Sequence, residues 1–406
     1  AVKELVENAV DANAKEIVIA FRDGGKTLIS VADDGRGMTP EELPLAVTRH
    51  VTSKLQGDDL TEIRWLGFRG EALPAIGAVS RLTITSRGMG ADQAWTLEVE
   101  AGVSGNVMPA AFGSGSLIKV RDLFFATPAR LKFMKTSRAE AMAITDVVNQ
   151  LAMARPDITF TLISDDRTRL HYDATQGELM EVRLNRLAEI MGRDFADNAI
   201  TLEAERDDIR LTGYASLPTL NRGNARLQFL FVNGRPVRDK LIFGALKAAY
   251  HDLLARGRHP LAALFIELHP SSVDVNVHPA KAEVRFREPG MVRGLIVGAL
   301  RHGLDVAGHR ASTTISQAAL GAMQREAPGN VFSAPGIANA SHEKVSRSAE
   351  VGQGALMSTA LPVAINEEII EGDVSDSFPL GAARGQLHDT YVVAQTADGL
   401  VICLLY

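Results

Sequence analysis

A single cysteine, Cys403, stands in 406 residues. No intrachain disulfide and no thiolate zinc cluster can form, which fits a reducing compartment. No apolar run is long enough to span a bilayer, and no segment has the order of a signal peptide, so a cytoplasmic protein without membrane contact is expected. Several catalytic signatures are missing too. There is no G-x-x-x-x-G-K-[ST], so the chain is not a P-loop protein, and "GRGMTP" lacks the third glycine of a dinucleotide-binding turn. "HPAKAE" is not H-E-x-x-H, and no G-x-S-x-G nucleophile elbow occurs. A formal charge of −6 argues against a dominantly basic nucleic-acid protein, although local patches can hide inside it. What remains, 46% hydrophobic and 23% charged residues, is globular composition with length for two or three domains.

The pattern along the chain is an alternation of strands and helices. "EIVIAF" and "TLISVAD" read as strands joined by the turn "RDGGK". A Gly-rich loop, "DDGRGMTPEEL", follows, in which Thr39-Pro40-Glu41-Glu42 has the order of a helix N-terminus. "RLTITSR", "WTLEVEA" and "SLIKVRDLF" are further strands, and "AEAMAITDVVNQLAMARP" is a helix closed by Pro156. The pattern predicts a second unit from about Ile158. There "LQFLFVNGRPV" turns at Asn233-Gly234, "DKLIFGALKAAYHDLLARG" is a helix ending near Gly257, and "LAALFIELHP" is a strand. Past about Arg310 the sequence thins to Ser, Ala, Gly and Pro, with an acidic stretch "INEEIIEGDVSDS", and reads as a linker. "LHDTYVVAQTADGLVICLLY" resumes a strand pattern and stops. Both ends read as truncated.

Five stretches carry residues suited to chemistry. In the opening "AVKELVENAVDANA", Glu4, Asn8 and Asp11 fall in one stripe of a helix, with Glu7 beside them and Val2, Leu5, Val6 and Ala9 facing away. An ordinary surface helix gives the same pattern. Asp33 ends a hydrophobic strand and precedes Gly35 and Gly37. A buried carboxylate there can accept a hydrogen bond from an exocyclic amine, while the glycines let a ring approach the backbone. "GFRGEALPAIGAV" runs from a glycine-rich loop into a helix, an arrangement that suits a phosphate chain. Thr52, Ser53 and Lys54 pair two hydroxyls with a cation, and Lys281, just after Pro279, is placed to reach a terminal phosphate.

Taken in order, "ELVENAVDA", "DDGRGM", "GFRGEAL", "DLFFATPAR", "FVNGRPVRD" and "VDVNVHPAKAEVRF" resemble the N-terminal ATPase half of the MutL family of bacterial DNA mismatch repair proteins. That family belongs to the wider GHKL group with gyrase B, the Hsp90 chaperones and the histidine kinases. The resemblance implies an α/β (α+β) fold: a mixed sheet covered by helices, then a smaller β-α-β domain like the second domain of ribosomal protein S5. It implies an ATP-binding domain over 1–200, a transducer and DNA-binding domain over 201–310, a linker over 311–377, and the truncated start of a C-terminal dimerisation domain over 378–406. Any nicking motif of that last domain would lie outside this sequence.

For the site, the resemblance implies Glu4 as general base and Asn8 as ligand to Mg²⁺ on ATP, four residues apart on one helical face. Asp33 would select adenine, with Gly35 and Gly37 at the pocket floor and Ser116 beside them; the family usually has Gly-Thr where this chain has Gly115-Ser116, and Ser keeps the hydroxyl. Thr52, Ser53 and Lys54 would line the phosphates. Gly67, Phe68, Arg69, Gly70, Glu71, Ala72 and Leu73 would cover them, and Lys281 would reach the γ-phosphate from the second domain. The implied partners are the DNA backbone without sequence preference, a MutS-type mismatch recognition protein, a downstream nuclease or helicase, and a second copy in the full-length homodimer. The implied role is a slowly hydrolysing ATP switch between mismatch recognition and repair nucleases. A binding fragment without turnover, or a type II topoisomerase ATPase subunit, are the alternatives. For DNA, Arg235, Arg238 and Lys240 lead a cluster with Lys247, Arg256 and Arg258, and Arg130, Lys132 and Lys135 form a second patch.

Overall fold

The computed structural model describes residues 1–49, 51, 66–67, 70–274, 284–322, 382–387, 391–396 and 399–404. The chain divides into two units, Ala1–Ala327 and Pro328–Tyr406. The larger begins with α1 (Val2–Asp11), β1 (Glu16–Arg22), β2 (Leu28–Asp33), α2 (Glu42–Ala46), α3 (Ala72–Gly77), β3 (Arg81–Arg87), β4 (Ala94–Glu100), β5 (Val103–Ser104), β6 (Met108–Ala110), β7 (Gly115–Arg121), α4 (Pro128–Leu131), α5 (Ser137–Ala154), β8 (Thr159–Ser164) and β9 (Arg167–Tyr172). The strands form one sheet in the order β5-β4-β3-β7-β2-β1-β8-β9, with β6 beside β4. Every pairing is antiparallel except β1 with β8, so the sheet is mixed.

Period-two alternation explains which face is covered. Ile17, Ile19 and Phe21 of β1 and Ile29 and Val31 of β2 are buried, and they pack with Leu5, Val6, Ala9, Ile144, Val148 and Leu151 of α1 and α5 in one core. Asp33 occupies the next core-facing position of β2, paired in register with Ile17. The sequence expectation of a new unit from Ile158 is corrected here, because β8 completes this first sheet as the parallel neighbour of β1. The expected helix start is found with a shift: α2 opens at Glu42 instead of Pro40, while the Thr39 amide donates to Glu42 Oε2 at 2.9 Å and the Glu42 amide to Thr39 Oγ1 at 3.3 Å, a reciprocal pair of bonds.

The remainder of this unit runs α6 (Leu179–Met191), α7 (Arg193–Asp197), β10 (Ala199–Arg206), β11 (Ile209–Ser216), β12 (Asn221–Arg222), β13 (Gln228–Val232), β14 (Arg235–Val237), α8 (Lys240–Ala249), β15 (His259–Pro260), β16 (Ala262–Leu268), β17 (Val273–Asp274), β18 (Arg285–Phe286) and α9 (Pro289–Ala322). A five-stranded sheet has the order β10-β11-β16-β13-β14, and α8 connects β14 back to β16, which lies parallel to β13. Both faces are covered. Leu211, Leu230, Val232, Leu264 and Ile266 pack with residues of α8 and α9, while Tyr214, Phe231, Ala263 and Phe265 meet Met153, Leu187 and Phe195 of α5, α6 and α7. Phe231 and Phe265 stack at 4.6 Å, a contact worth about 1 kcal/mol beyond its buried area.

Arg186 of α6, 1% exposed, ties this half to the first sheet. Its guanidinium donates to the carbonyls of Ala152 (3.1 Å), Pro156 (3.3 Å), Ile158 (3.4 Å) and Asp173 (2.6 Å), so it satisfies the end of α5 and the chain leaving it.

Two helix ends differ from expectation. α8 stops at Ala249 instead of running to Gly257; the next residue, the buried Tyr250, is held by the second sheet, its hydroxyl donating to Ser216 O at 2.6 Å. α9 continues to Ala322, past the Arg310 where the pattern predicts a linker, because Ala, Leu and Gln in "ASTTISQAALGA" favour helix. The rest of the expected linker lies outside the described residues. In the smaller unit, β19 (Ala382–Leu387), β20 (Tyr391–Thr396) and β21 (Gly399–Leu404) form an antiparallel meander.

Candidate functional site

The opening helix divides as its period requires. Val2, Leu5, Val6, Ala9 and Val10 are buried, and Glu4, Asn8 and Asp11 stand half-buried along another face. Glu7 departs from the wet stripe: it is 1% exposed and lies 3.7 Å from Lys3 Nζ. Glu4 sits in the first turn, where the helix dipole favours a negative charge. Asp11 has a specific task, since its two oxygens accept the amides of Leu66 (2.9 Å) and Gly67 (2.8 Å). The carboxylate thereby fastens the start of the Gly-rich segment to α1, which packs on β2 and α5.

Asp33 is 7% exposed at the end of β2. Burial pushes its carboxyl up to about 6, against the Gly35 amide, which donates at 3.0 Å, and the Ser116 amide; the neighbouring Asp34 charge pushes the same way as burial. Asp34 itself turns outward to accept the amides of Lys15 (2.7 Å) and Glu16 (2.9 Å).

The glycines here answer to a nearer neighbour than a ligand ring. Gly37 has φ 64°, and a Cβ on it would lie 2.0 Å from Arg87 O; Gly115 has φ 76°, and its Cβ would lie 2.1 Å from Asp33 O. The loop must therefore pass in backbone contact with β3 and β7, and only glycine permits that. Arg36 closes the same path, donating its amide to Ala12 O at 3.0 Å and accepting from Met89 N at 2.9 Å.

Ser86 is a site residue that sequence reasoning missed. It is wholly buried on β3, accepts the Met38 amide at 2.8 Å, donates to Gly115 O at 2.9 Å, and lies 2.9 Å from Ser116 Oγ. With its single proton spent on Gly115 O, Ser86 must accept from the Ser116 hydroxyl. The signal was present in "RLTITSR", where Ser86 follows Leu82 and Ile84 on the core-facing side.

Among the remaining predicted residues, Gly67, Gly70, Glu71, Ala72 and Leu73 lead into α3 as expected. Thr52, Ser53, Lys54, Phe68, Arg69 and Lys281 lie outside the described residues. Arg238 and Lys240 are exposed beside the start of α8, and Arg238 and Arg226 border a cavity of about 340 Å³. Arg235 requires a correction: it is 5% exposed, and burial works against its charge while the carboxylates of Glu7, Asp11 and Glu4 of α1 favour it, so it is not available to a DNA phosphate. In the second patch Arg130, Lys132 and Lys135 are exposed around Phe133. No helix among the described residues is long and apolar enough to cross a membrane.

Comparison with known proteins gives a consistent answer. Residues 1–109 match the family model of histidine kinase-, DNA gyrase B- and HSP90-like ATPases, and residues 187–305 match that of the DNA mismatch repair protein C-terminal domain. The DNA mismatch repair protein MutL of Paramagnetospirillum magneticum is 54% identical over 99% of this chain and 68% of its own length. That of Rhodospirillum rubrum is 54% identical over 99% and 69%. Among solved structures, the Aquifex aeolicus MutL ATPase domain complexed with ADP aligns at TM-score 0.52 and 27% identity, covering 73% of this chain and 94% of that one. The N-terminal domain of a DNA repair protein aligns at 0.63 and 25%, covering 75% and 93%. The backbone of this site, from the acidic face of α1 to the buried Asp33, is therefore that of a nucleotide-binding ATPase domain, and the chain belongs to the MutL family of DNA mismatch repair proteins.

Proposed function

We propose that the α1–β2–β7 end of the first sheet binds ATP and hydrolyses it, and that this cycle is the switch by which the protein acts in mismatch repair. The observation that carries the reading is the pairing of Glu4 and Asn8 on one half-buried face of α1 with the buried Asp33 on β2, the strand against which α1 packs. Asp33 accepts the exocyclic amine of adenine, with Gly35, Gly37 and Ser116 at its sides. Gly67 to Leu73, together with Thr52, Ser53 and Lys54, enclose the phosphates. Glu4 takes a proton from the attacking water as its oxygen bonds to the γ-phosphorus; the bridging oxygen leaves with ADP, and Lys281 neutralises charge on the transferred group.

The residues present fit a magnesium ion held on the nucleotide. Among the described residues no group of three or more His, Cys, Asp or Glu could hold a metal by itself. Asn8 offers one neutral oxygen, and Mg²⁺ characteristically keeps waters and takes phosphate oxygens beside one or two protein ligands. When bound, the ion would offset charge on the phosphates.

The partners follow from the family: DNA held through its backbone, a MutS-type protein upstream, a nuclease or helicase downstream, a second copy of the chain, and a place at the nucleoid. Arg238 and Lys240 are the exposed cations assigned to the DNA backbone.

The test is Mg²⁺-dependent ATP binding and hydrolysis by the chain and by Glu4→Ala. The expected outcome is ATP binding by both, with turnover in Glu4→Ala lowered by about 100-fold or more. A Glu4→Ala chain that hydrolyses at the parent rate, or a parent chain that does not bind ATP, refutes the reading.

A further inference from the structure

The cavity of about 340 Å³ lies where α5 meets the hairpin of β13 and β14, and it shares no lining residue with the site around Asp33. Side chains alternate along a strand, so Phe229 and Phe231 of β13 share one face with Pro236, the register partner of Phe231. Arg238 lies two positions beyond Pro236 and lines the same space as the chain leaves β14. Phe231 packs on this face with Met153 of α5, and Gln150 lies one helical turn before Met153, which brings its side chain to the cavity wall. At the other end the Gln228 amide donates to Ala225 O at 3.3 Å, a turn that returns Arg226 to the rim.

Three polar groups on this lining are uncommitted. Arg226 and Arg238 are exposed, and no carboxylate among the described residues pairs with either guanidinium. Gln150 is half-buried, and its side-chain amide makes no hydrogen bond among the described residues, whereas that of Gln228 donates to Pro260 O at 3.0 Å. Beneath them the floor is aromatic: Phe231 is buried with its ring stacked on Phe265, and Phe229 is half-buried beside it.

We infer that this cavity is a nucleotide site separate from the ATP site: the phosphate lies between Arg226 and Arg238, the base lies on Phe229, and Gln150 reads the edge of the base. Each group answers one part of that ligand. Two guanidiniums without carboxylates call for a compact anion, and phosphate has oxygens enough for both forks. An aromatic floor calls for a flat body, and every base has a π-face. A primary amide sets a donor and an acceptor side by side, the complement of a base edge. A bare anion leaves the floor and the amide unused, and an aliphatic acid leaves the amide unused. The volume stands at the low end of the roughly 300–1,000 Å³ of small-molecule pockets, enough for one nucleotide and too little for a base pair. A free nucleoside monophosphate and an unpaired nucleotide of a DNA strand supply the same chemistry. With DNA as the source the inference rests on the DNA-backbone reading of Arg238 above; with a free nucleotide it does not.

The experiment titrates the whole chain by calorimetry with thymidine 5′-monophosphate, whose base is not the adenine assigned to Asp33, and with its two fragments, thymidine and deoxyribose 5-phosphate. Each fragment is expected to bind at least about tenfold more weakly than the nucleotide. Phe229→Leu, which keeps the core apolar, and Arg226→Gln should each lower nucleotide affinity by about tenfold, while Arg222→Gln, an exposed cation outside the lining, leaves it unchanged. The second arm compares a short oligothymidylate with an abasic strand of equal length. A preference of about tenfold for the oligothymidylate that Phe229→Leu removes makes a DNA strand the source; the fragment pattern without that preference makes it a free nucleotide.

The inference is overturned when neither preference, nucleotide over sugar phosphate or oligothymidylate over abasic strand, depends on Phe229 and Arg226. Tighter binding of an acidic aromatic dipeptide than of the nucleotide also overturns it, and assigns the cavity to a peptide. The DNA-backbone reading fails separately: it is refuted when Arg238→Ala leaves the binding of both strands unchanged, and it survives when both strands bind equally and Arg238→Ala weakens both.

Discussion

Replacing Asp33 by Asn should stabilise the nucleotide-free protein, and by an amount that depends on pH. Asp33 is 7% exposed, and its folded pKa is pushed up to about 6 from an ordinary value of 3.8. A carboxyl raised in the folded state binds its proton more tightly there than in the unfolded chain, so its contribution is most favourable below the unfolded value. That contribution is lost as pH rises from about 4 to about 6 and stays lost above. The gap of about two units corresponds to about 3 kcal/mol. Asn keeps the oxygen that accepts from Gly35 and removes the buried charge. In urea denaturation followed from pH 4 to pH 8, the two proteins should agree near pH 4 and diverge by up to about 3 kcal/mol by pH 7, with the variant the more stable. Adenosine affinity should move the opposite way: that of the parent rises by about tenfold between pH 5 and pH 7 as Asp33 ionises, and that of the variant stays flat. A stability difference that is constant over the range would refute the argument, for it would mean that Asp33 does not carry the cost of a buried charge.

Three other outcomes test the geometry. Gly115→Ala places a Cβ 2.1 Å from Asp33 O at φ 76°, and should cost about 2–3 kcal/mol in thermal unfolding, whereas Gly113→Ala, with no atom within 4 Å, should be nearly neutral. Arg186→Met strands the four carbonyls that the guanidinium serves, and should cost about 3 kcal/mol; Arg186→Lys should rescue little, since an ammonium cannot span them. In DNA binding measured against salt, Arg238→Ala and Lys240→Ala should each lower the slope of log K against log salt by about 1, equally on unrelated sequences. A change in sequence preference instead would assign those side chains to bases.

Local signals made much of this molecule legible. The 3.6-residue period of α1, the alternation of β1 and β2, the cap at Thr39 and Glu42, and the turn at Asn233-Gly234 each depend on residues a few positions apart, and they stand as read except for Glu7, which is buried instead of lying beside the wet stripe. The misreadings share a different origin. Pro156 closes α5 and looked like the end of a unit, but β8 finds its partner in β1, far back in the chain, and parallel pairing across such a distance leaves no local mark. Tyr250, the residue that follows α8, bonds to Ser216, again a remote group. The missed Ser86 was within reach, since alternation alone puts it in the core beside Leu82 and Ile84, where a hydroxyl needs partners.

Arg235 shows how the two kinds of information combine. Its residue type and its place after a turn suggested a surface cation, while the pleat placed it on the side of Val232, facing inward. A buried guanidinium needs partners, and so does Glu7 of α1, which the helical period places beside Glu4 and Asp11 but which is buried near Lys3 Nζ. Each is anomalous by the rule for its own element. The carboxylates of Glu7, Asp11 and Glu4 favour the charge of Arg235, so a charge that breaks pattern in one element is a reason to look for a complementary break in another.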